Sequence, residues 1–143
     1  MKILFILFIL SANASAMDRW AALAMFESGD NDRIVGRAGE ISRYQIRREL
    51  WPSGNPLNAC VALANAQRIM SPRVAAFERT HGRTPDDFEF YILWNAPAQI
   101  NHPHPVVAER ARRFMNLVVD ANRIALAEIV TNSIVSIEPG ASY

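Results

Sequence analysis

Helix-capping residues stand directly before prolines at several points, and this punctuation constrains the fold more than any other feature. A capping side chain satisfies a free backbone N–H of the first turn, and proline at the first helical position loses no hydrogen bond. Asp18 can cap a further helix near the N-terminus, which Gly29 would end. The predicted helices run from Asp18 to Ser28, from Asn55-Pro56 to about Met70, from Ser71-Pro72 to near Gly82, from Thr84-Pro85 to about Asn95, and from Pro105 to about Val130.

The segment between Asp30 and Ile46 breaks this helical pattern. Its apolar residues are separated by the glycines Gly36 and Gly39, and they lack the spacing of a helix face. Such a pattern is typical of a short, irregular hairpin. The expected fold class is therefore mainly α (α+β), a helical domain with a small β-hairpin insert after the first mature helix.

The first sixteen residues, MKILFILFILSANASA, differ from the rest of the chain. They combine a charged start at Lys2, an apolar centre and small residues before a cleavage point, as in a secretory signal peptide. The apolar part is shorter than the roughly 20 residues that span a bilayer. We therefore expect export to the periplasm or the extracellular space, without stable membrane insertion after cleavage. The expected division is a signal peptide (1–16), a domain (17–131) and a C-terminal tail (132–143).

The charge balance argues against a nucleic-acid partner. Lys2 is the only lysine, so cleavage would leave fourteen arginines against fourteen acidic residues. The densest basic run, Arg110-Ala111-Arg112-Arg113, has the pattern of a solvated helix face.

Cys60 is the only cysteine, so no internal disulfide can form, and its apolar neighbours predict a buried thiol. We expect the protein to be a monomer.

Glu27 is the residue of the first helix that most suggests chemistry. Trp20, Leu23, Ala24 and Glu27 share one face of a helix with 3.6 residues per turn, so the carboxylate points where apolar side chains point. Loss of solvation raises the pKa of such a carboxyl group. A raised pKa suits a general acid that must keep its proton near neutral pH. On spacing alone, however, most glutamates in such a position are solvated residues at a helix end.

Three short motifs occur in an order that resembles a known superfamily. "FES" lies at 26–28, "GEISRYQI" at 39–46 and "LWNAP" at 93–97. In order and spacing they are similar to the motifs of the lysozyme-like superfamily, specifically soluble lytic transglycosylases and goose-type lysozymes. The resemblance covers 18–117. It implies a lysozyme-like fold, no cofactor, no metal, and peptidoglycan glycan strands as the substrate.

The resemblance also implies roles for individual residues. Glu27 would be the catalytic acid and base, Ser28 would orient it or the substrate, and Gln45 and Asn95 would line the sugar groove. Trp94 stands where the family has a tyrosine whose hydroxyl helps to position the catalytic glutamate. Ser42 and Pro97 replace glycines of the family pattern. Tyr91 and Tyr44 are the two candidates for the missing hydroxyl, and Trp94 itself is a candidate for stacking on sugar.

The number of carboxylates separates two reactions. A lytic transglycosylase needs only Glu27 and gives a 1,6-anhydro-muramyl product, whereas an inverting hydrolase needs a second carboxylate about 6.5–9.5 Å away to activate water. Glu40 is the candidate for that second group, with Asp30 and Asp32 as alternatives. A third possibility is a peptidoglycan-binding module without activity. His102 and His104, with His81 as a third ligand, could suggest a metal site, but we expect them to lie on a solvated surface turn.

Overall fold

The computed structural model describes residues 18–135, and within that range the chain is mainly helical, as the sequence predicts. The predicted signal peptide over 1–16 lies outside the described residues. Single turns of 3-10 helix occur at Arg48–Leu50 and Pro97–Gln99. The α-helices of this range are α1 (Arg19–Ser28), α2 (Ala59–His81), α3 (Asp87–Asn95) and α4 (Pro105–Val135).

The caps of α1 and α3 explain where these helices begin and end. The Asp18 carboxylate accepts a hydrogen bond from the Trp20 N–H at 3.2 Å, and Gly29 ends α1 in the left-handed conformation with φ +65°. Asp86 and Glu89 form a capping box at the start of α3, in which each side chain accepts from the other's backbone N–H. The predicted α1 is confirmed. Helix α3 begins two residues later than predicted, because Asp86 and not Thr84 supplies the cap.

The predicted break at Ser71-Pro72 is wrong, since α2 continues through Pro72. Proline inside a helix costs about 3 kcal/mol. Here Met70 and Phe77, two turns apart on one face, are both buried in the core, and their burial holds the two halves in line. Pro72 lies on the exposed side, where water can hydrate the carbonyl that lost its partner.

The other helix ends differ from prediction by a few residues. Asn58, not Asn55, caps α2, and its side chain accepts from the N–H groups of Cys60 and Val61. Helix α4 starts at Pro105 as predicted but continues to Val135. The predicted tail over 132–143 is therefore helical for its first four residues, and 136–143 lie outside the described residues.

The segment between α1 and α2 turns back on itself at one point. Ile41 and Ile46 form a single antiparallel bridge, with N–H to carbonyl distances of 2.8 and 2.9 Å in the two directions. Ser42 and Gln45, between them, have φ of +66° and +49°. No longer strand is assigned among residues 18–135, so the feature predicted as a hairpin consists here of one bridge around a tight turn.

The core forms around α3, which packs against α2 and α4, while α1 also packs against α4. Tyr91 and Ile92 of α3, Leu23 of α1 and Phe114 of α4 are fully buried. Burial of α4 ends near Val118, and its later turns carry exposed apolar side chains such as Ile124. None of the helices described is both long and apolar enough to cross a membrane.

Candidate active site

Glu27 lies at the end of α1, one turn after the buried Leu23 and Ala24. Its side chain is only 9% exposed, although the residue is one position from the end of the helix. The prediction that this carboxylate shares the apolar face of α1 is confirmed. A carboxyl group so placed must be bonded by protein groups, because little water reaches it.

Two side chains from other helices supply those bonds. The Tyr91 hydroxyl of α3 donates to Glu27 Oε1 at 2.8 Å. Arg110 of α4 donates from Nε to the Tyr91 hydroxyl oxygen at 2.9 Å, and its Nη2 lies 3.4 Å from Glu27 Oε2. The three residues are up to 83 positions apart in the chain, so the network exists only when α1, α3 and α4 pack together.

Aromatic packing fixes the position of the Tyr91 hydroxyl. Phe26 meets the Tyr91 ring edge-on with centroids 5.1 Å apart, and Phe114 lies against it at 5.3 Å. The Arg110 guanidinium lies over the Phe26 and Tyr91 rings, 5.7 and 5.8 Å from their centroids. The hydroxyl therefore reaches Glu27 from a ring that packing holds in place.

The surroundings of Glu27 raise its pKa above the ordinary value of 4.5. Burial is the largest cause, because it penalises the charged form. The hydrogen bond from Tyr91 and the charge of Arg110 act in the opposite direction, and the nearby carboxylate of Glu40 adds a smaller upward contribution. Burial beside Glu27 also raises the pKa of Tyr91, so this hydroxyl keeps its proton and remains a donor.

Glu27 faces an open cleft of about 830 Å³. We call one side of it the helical wall, formed by Glu27, Trp94, Asn95 and Arg110, with Tyr91 behind them. We call the other side the loop wall, formed by Arg37, Glu40, Gln45 and Arg47. The structure therefore places Glu27 in one cleft with the predicted residues Glu40, Gln45, Trp94 and Asn95, and brings the predicted Tyr91 into contact with it from behind.

Two predicted residues lie away from the cleft surface. The Ser28 hydroxyl donates to the Ala24 carbonyl and accepts from the Asn31 N–H, both at 3.0 Å, so it is bonded to the backbone at the end of α1. Tyr44 is 3% exposed, and burial raises its pKa to about 12. Its ring packs edge-on against Trp94, with centroids 6.4 Å apart, and so supports the helical wall from behind. Of the two tyrosine candidates, Tyr91 is the one whose hydroxyl contacts Glu27.

The alternative second carboxylates, Asp30 and Asp32, are bound to an arginine outside the cleft. Arg43 donates from Nε and Nη2 to the two Asp32 oxygens at 2.6 and 2.7 Å, and from Nη1 to Asp30 at 2.8 Å. The Arg43 guanidinium lowers the pKa of Asp32. These residues hold the loop together and do not line the cleft.

Glu40 remains the carboxylate that shares the cleft with Glu27. Its Oε2 accepts from the Ala38 N–H at 3.0 Å, and its carbonyl accepts from the Gly36 N–H at 2.8 Å. A Cβ atom at Gly36 would collide with the Glu40 carboxylate and the Gln45 amide. The absence of a side chain at Gly36 therefore lets both groups take their positions on the loop wall.

Sequence reasoning missed two arginines of the site. The charge pattern predicts Arg110 on a solvated face, but its side chain bonds to Tyr91 and Glu27. Its position one turn before the buried Phe114, at the edge of the core, is the signal that could have identified it. Arg73 of α2 donates to the carbonyls of Leu93 and Trp94 at 2.8 and 2.9 Å, and so fixes the end of α3. Nothing in the local sequence indicates that contact.

Cys60 and the histidines complete the sequence-predicted residues. The Cys60 residue is exposed, so the prediction of a buried thiol is wrong; it lies in the first turn of α2, on the side facing away from the core. His81 stacks on Phe77, with centroids 4.0 Å apart. Within residues 18–135, no three His, Cys, Asp or Glu side chains are grouped so that they could hold a metal ion.

Comparison with known proteins does not place the chain in a family. A scan of protein-family models and searches of curated proteins and of solved structures find no match to it. The function must therefore be inferred from the cleft itself.

Proposed function

We propose that this protein is a peptidoglycan lytic transglycosylase that cleaves the β-1,4 bond between N-acetylmuramic acid and N-acetylglucosamine. The observation that carries the proposal is the setting of Glu27, a nearly buried carboxyl group with a raised pKa that faces an open cleft. The order of the three sequence motifs, which resembles that of lytic transglycosylases, adds the substrate class. A lysozyme-like fold with a small hairpin insert is part of the same proposal.

In the proposed reaction Glu27 acts twice. As a general acid it gives its proton to the glycosidic oxygen, so that the bond from the muramyl C1 to that oxygen breaks. The Glu27 carboxylate then takes the proton from the muramyl C6 hydroxyl while that oxygen bonds to C1. The product is a 1,6-anhydro ring, Glu27 ends protonated as it began, and no water is consumed.

Tyr91 and Arg110 support both halves of this cycle. The Tyr91 hydrogen bond holds one carboxyl oxygen, which fixes the direction in which the other can transfer a proton. Arg110 stabilises the carboxylate formed after the first transfer, because its charge lies beside Glu27 Oε2. Burial favours the protonated form of Glu27 before substrate arrives, and these two partners limit how far its pKa rises.

The sugar chain is proposed to lie along the cleft. Gln45 on the loop wall and Asn95 on the helical wall offer amide groups suited to sugar hydroxyl and N-acetyl groups. Trp94 offers an aromatic face beside Asn95. The substrate lies outside the cytoplasmic membrane, so the proposal also requires the export predicted from residues 1–16.

A hydrolase that uses Glu40 as its second carboxylate is the alternative, and one observation favours it. Glu40 lines the same cleft and is close enough to raise the pKa of Glu27. Against this role, one Glu40 oxygen is bonded to the Ala38 N–H, within its own turn. Such a bond favours a structural role for the Glu40 carboxylate over that of a general base that activates water.

The test is to digest purified peptidoglycan with the protein and to weigh the released muropeptides. The proposal predicts anhydro products, each lighter by one water than the corresponding hydrolysis product. Glu27→Gln is expected to lower the rate about 10²–10⁴-fold, because it removes the transferable proton but keeps the shape. Glu109→Gln is the matched control, since Glu109 is 64% exposed on α4.

The other outcomes decide between the alternatives. Products heavier by one water would identify the hydrolase. Binding of peptidoglycan without release of muropeptides would identify a module without activity. Equal rates for wild type and Glu27→Gln would exclude Glu27 as the acid.

A further inference from the structure

Arginine is concentrated in the cleft more than the charge of the chain predicts. The whole chain has a formal net charge of only +1. In the cleft, four arginines stand against two carboxylates, those of Glu27 and Glu40. The four are Arg37, Arg47, Arg73 and Arg110. A cleft with an excess of one sign of charge attracts ligands of the opposite sign.

Two of these arginines are used by the protein itself. Arg110 is bonded to Tyr91 and Glu27. Arg73 donates to two backbone carbonyls at the end of α3. Both side chains are therefore held by other groups of the protein, and their positions are explained by the fold.

Arg37 and Arg47, both on the loop wall, are not explained in this way. Among residues 18–135, the Arg37 side chain makes no hydrogen bond or ion pair. Arg47 has only a 3.9 Å approach to Glu49, with both side chains 68% exposed, and such a pair contributes little. Glu40 forms no ion pair with either arginine, and its Oε2 accepts from the Ala38 N–H instead. Two guanidinium groups thus face the cleft with their donors available.

We propose that Arg37 and Arg47 form an anion-binding subsite that holds carboxylate groups carried by substituents of the glycan strand. A guanidinium group matches a carboxylate with two parallel hydrogen bonds, and neutral sugar rings offer no such partner. This inference rests on the proposed function, since it names the part of the peptidoglycan strand that the loop wall selects. Two sources supply this chemistry, the carboxylates of the stem peptides and the lactyl carboxylate left when a stem is removed.

The test measures binding of soluble strands to the Glu27→Gln protein, which is expected to bind without cutting. Three forms of one strand are compared: intact, stripped of stem peptides by an amidase, and intact with every carboxyl group converted to an amide. Loss of binding on amide conversion supports the subsite. Equal affinity for all three strands overturns it without any change to the protein.

Variants then assign the effect to the two arginines. Arg37→Gln and Arg47→Gln are each expected to weaken binding of the intact strand about twofold to fivefold, as for partly exposed charged contacts. The loss should shrink as salt is raised, because salt screens exposed charges. Arg33→Gln, in the same segment but outside the cleft, is the matched control. Arg37→Lys keeps the charge and should recover part of the loss.

The outcomes separate this inference from the proposed function. If the wild type releases anhydro products but both arginine variants, made in the Glu27→Gln protein, bind intact and amidase-treated strands as well as Glu27→Gln alone does, the subsite is wrong and the proposed function stands. If no strand releases products yet binding depends on carboxylates and on both arginines, the subsite stands and the proposed activity is wrong. Tighter binding of the amidase-treated strand than of the intact strand assigns the subsite to the lactyl carboxylate, which is free only after stem removal, and weaker binding assigns it to the stem peptide.

Discussion

The two walls of the cleft are built on different principles. The helical wall joins Glu27, Tyr91 and Arg110 from three helices, and its hydrogen bonds link residues far apart in the chain. The loop wall is held by local contacts, such as the Glu40 bond to the Ala38 N–H two residues away. Tertiary packing therefore fixes Glu27, the proposed acid, whereas turn geometry fixes the groups that face it. Changes in the two walls should accordingly have different effects.

Among the substitutions that test the difference between the two walls, Tyr91→Phe should have the largest effect on activity. It removes a hydrogen bond to a charged group, worth about 1.5–3 kcal/mol, which corresponds to roughly tenfold to hundredfold in kcat/KM. The ring itself stays packed against Phe26 and Phe114, so the fold should survive. Release of muropeptides at several substrate concentrations measures the loss.

The same variant should shift the pH dependence in a defined direction. The proposed reaction requires protonated Glu27, so activity should fall as pH rises through the pKa of this group. The Tyr91 bond lowers that pKa, and its removal should move the alkaline limb to higher pH. Arg110→Gln should move the limb in the same direction. Thr80→Ala, which removes a hydroxyl on α2 away from the cleft, is the control; an unchanged limb in Tyr91→Phe would contradict the network.

Arg43→Gln tests whether the loop wall depends on local contacts. Loss of the fork that binds Asp32 and Asp30 should lower the free energy of unfolding by about 1 kcal/mol, with a small effect on kcat. Urea unfolding measures the difference. Arg43→Lys, which keeps the charge but not the fork, should recover only part of it.

The pH dependence of this difference has a fixed sign. The folded state lowers the pKa of Asp32 below its ordinary value of 3.8, so the stabilisation is complete above that value. It is lost as pH falls through the lower, folded pKa. The difference in the free energy of unfolding between wild type and Arg43→Gln should therefore be constant near neutral pH and become smaller in strong acid. An equal difference at neutral pH and in strong acid would show that the ion pair between Arg43 and Asp32 does not contribute to stability.

The two walls also differ in how far the sequence predicts them. Caps and helix periodicity predict α1 and the direction of Glu27, because both depend on neighbouring residues. The contacts of Arg110 and Arg73 depend on how helices pack, and no local pattern specifies them. Tertiary burial likewise overrides the local preference at Pro72, where Met70 and Phe77 keep α2 continuous. On the loop wall, Glu40 and Gln45 could be predicted as site residues because they lie inside the motif at 39–46.

Gly36→Ala should have the smallest effect, and it sharpens the choice between the two reactions. A Cβ atom at Gly36 meets the ends of the Glu40 and Gln45 side chains, which can move, so the fold should be kept. Since Gly36 does not need a positive φ, the cost in the free energy of unfolding should be within about 1 kcal/mol.

The two candidate reactions respond differently to that displacement. A hydrolase that places water with Glu40 should lose activity by about 10²-fold or more, because general base catalysis depends on position. A transglycosylase should lose less than about tenfold, through Gln45 and substrate positioning alone. Glu40→Gln provides the comparison, since it removes the charge and leaves Gly36 in place. A strong loss of activity in both Gly36→Ala and Glu40→Gln, together with hydrolysed products, would identify Glu40 as a second catalytic residue.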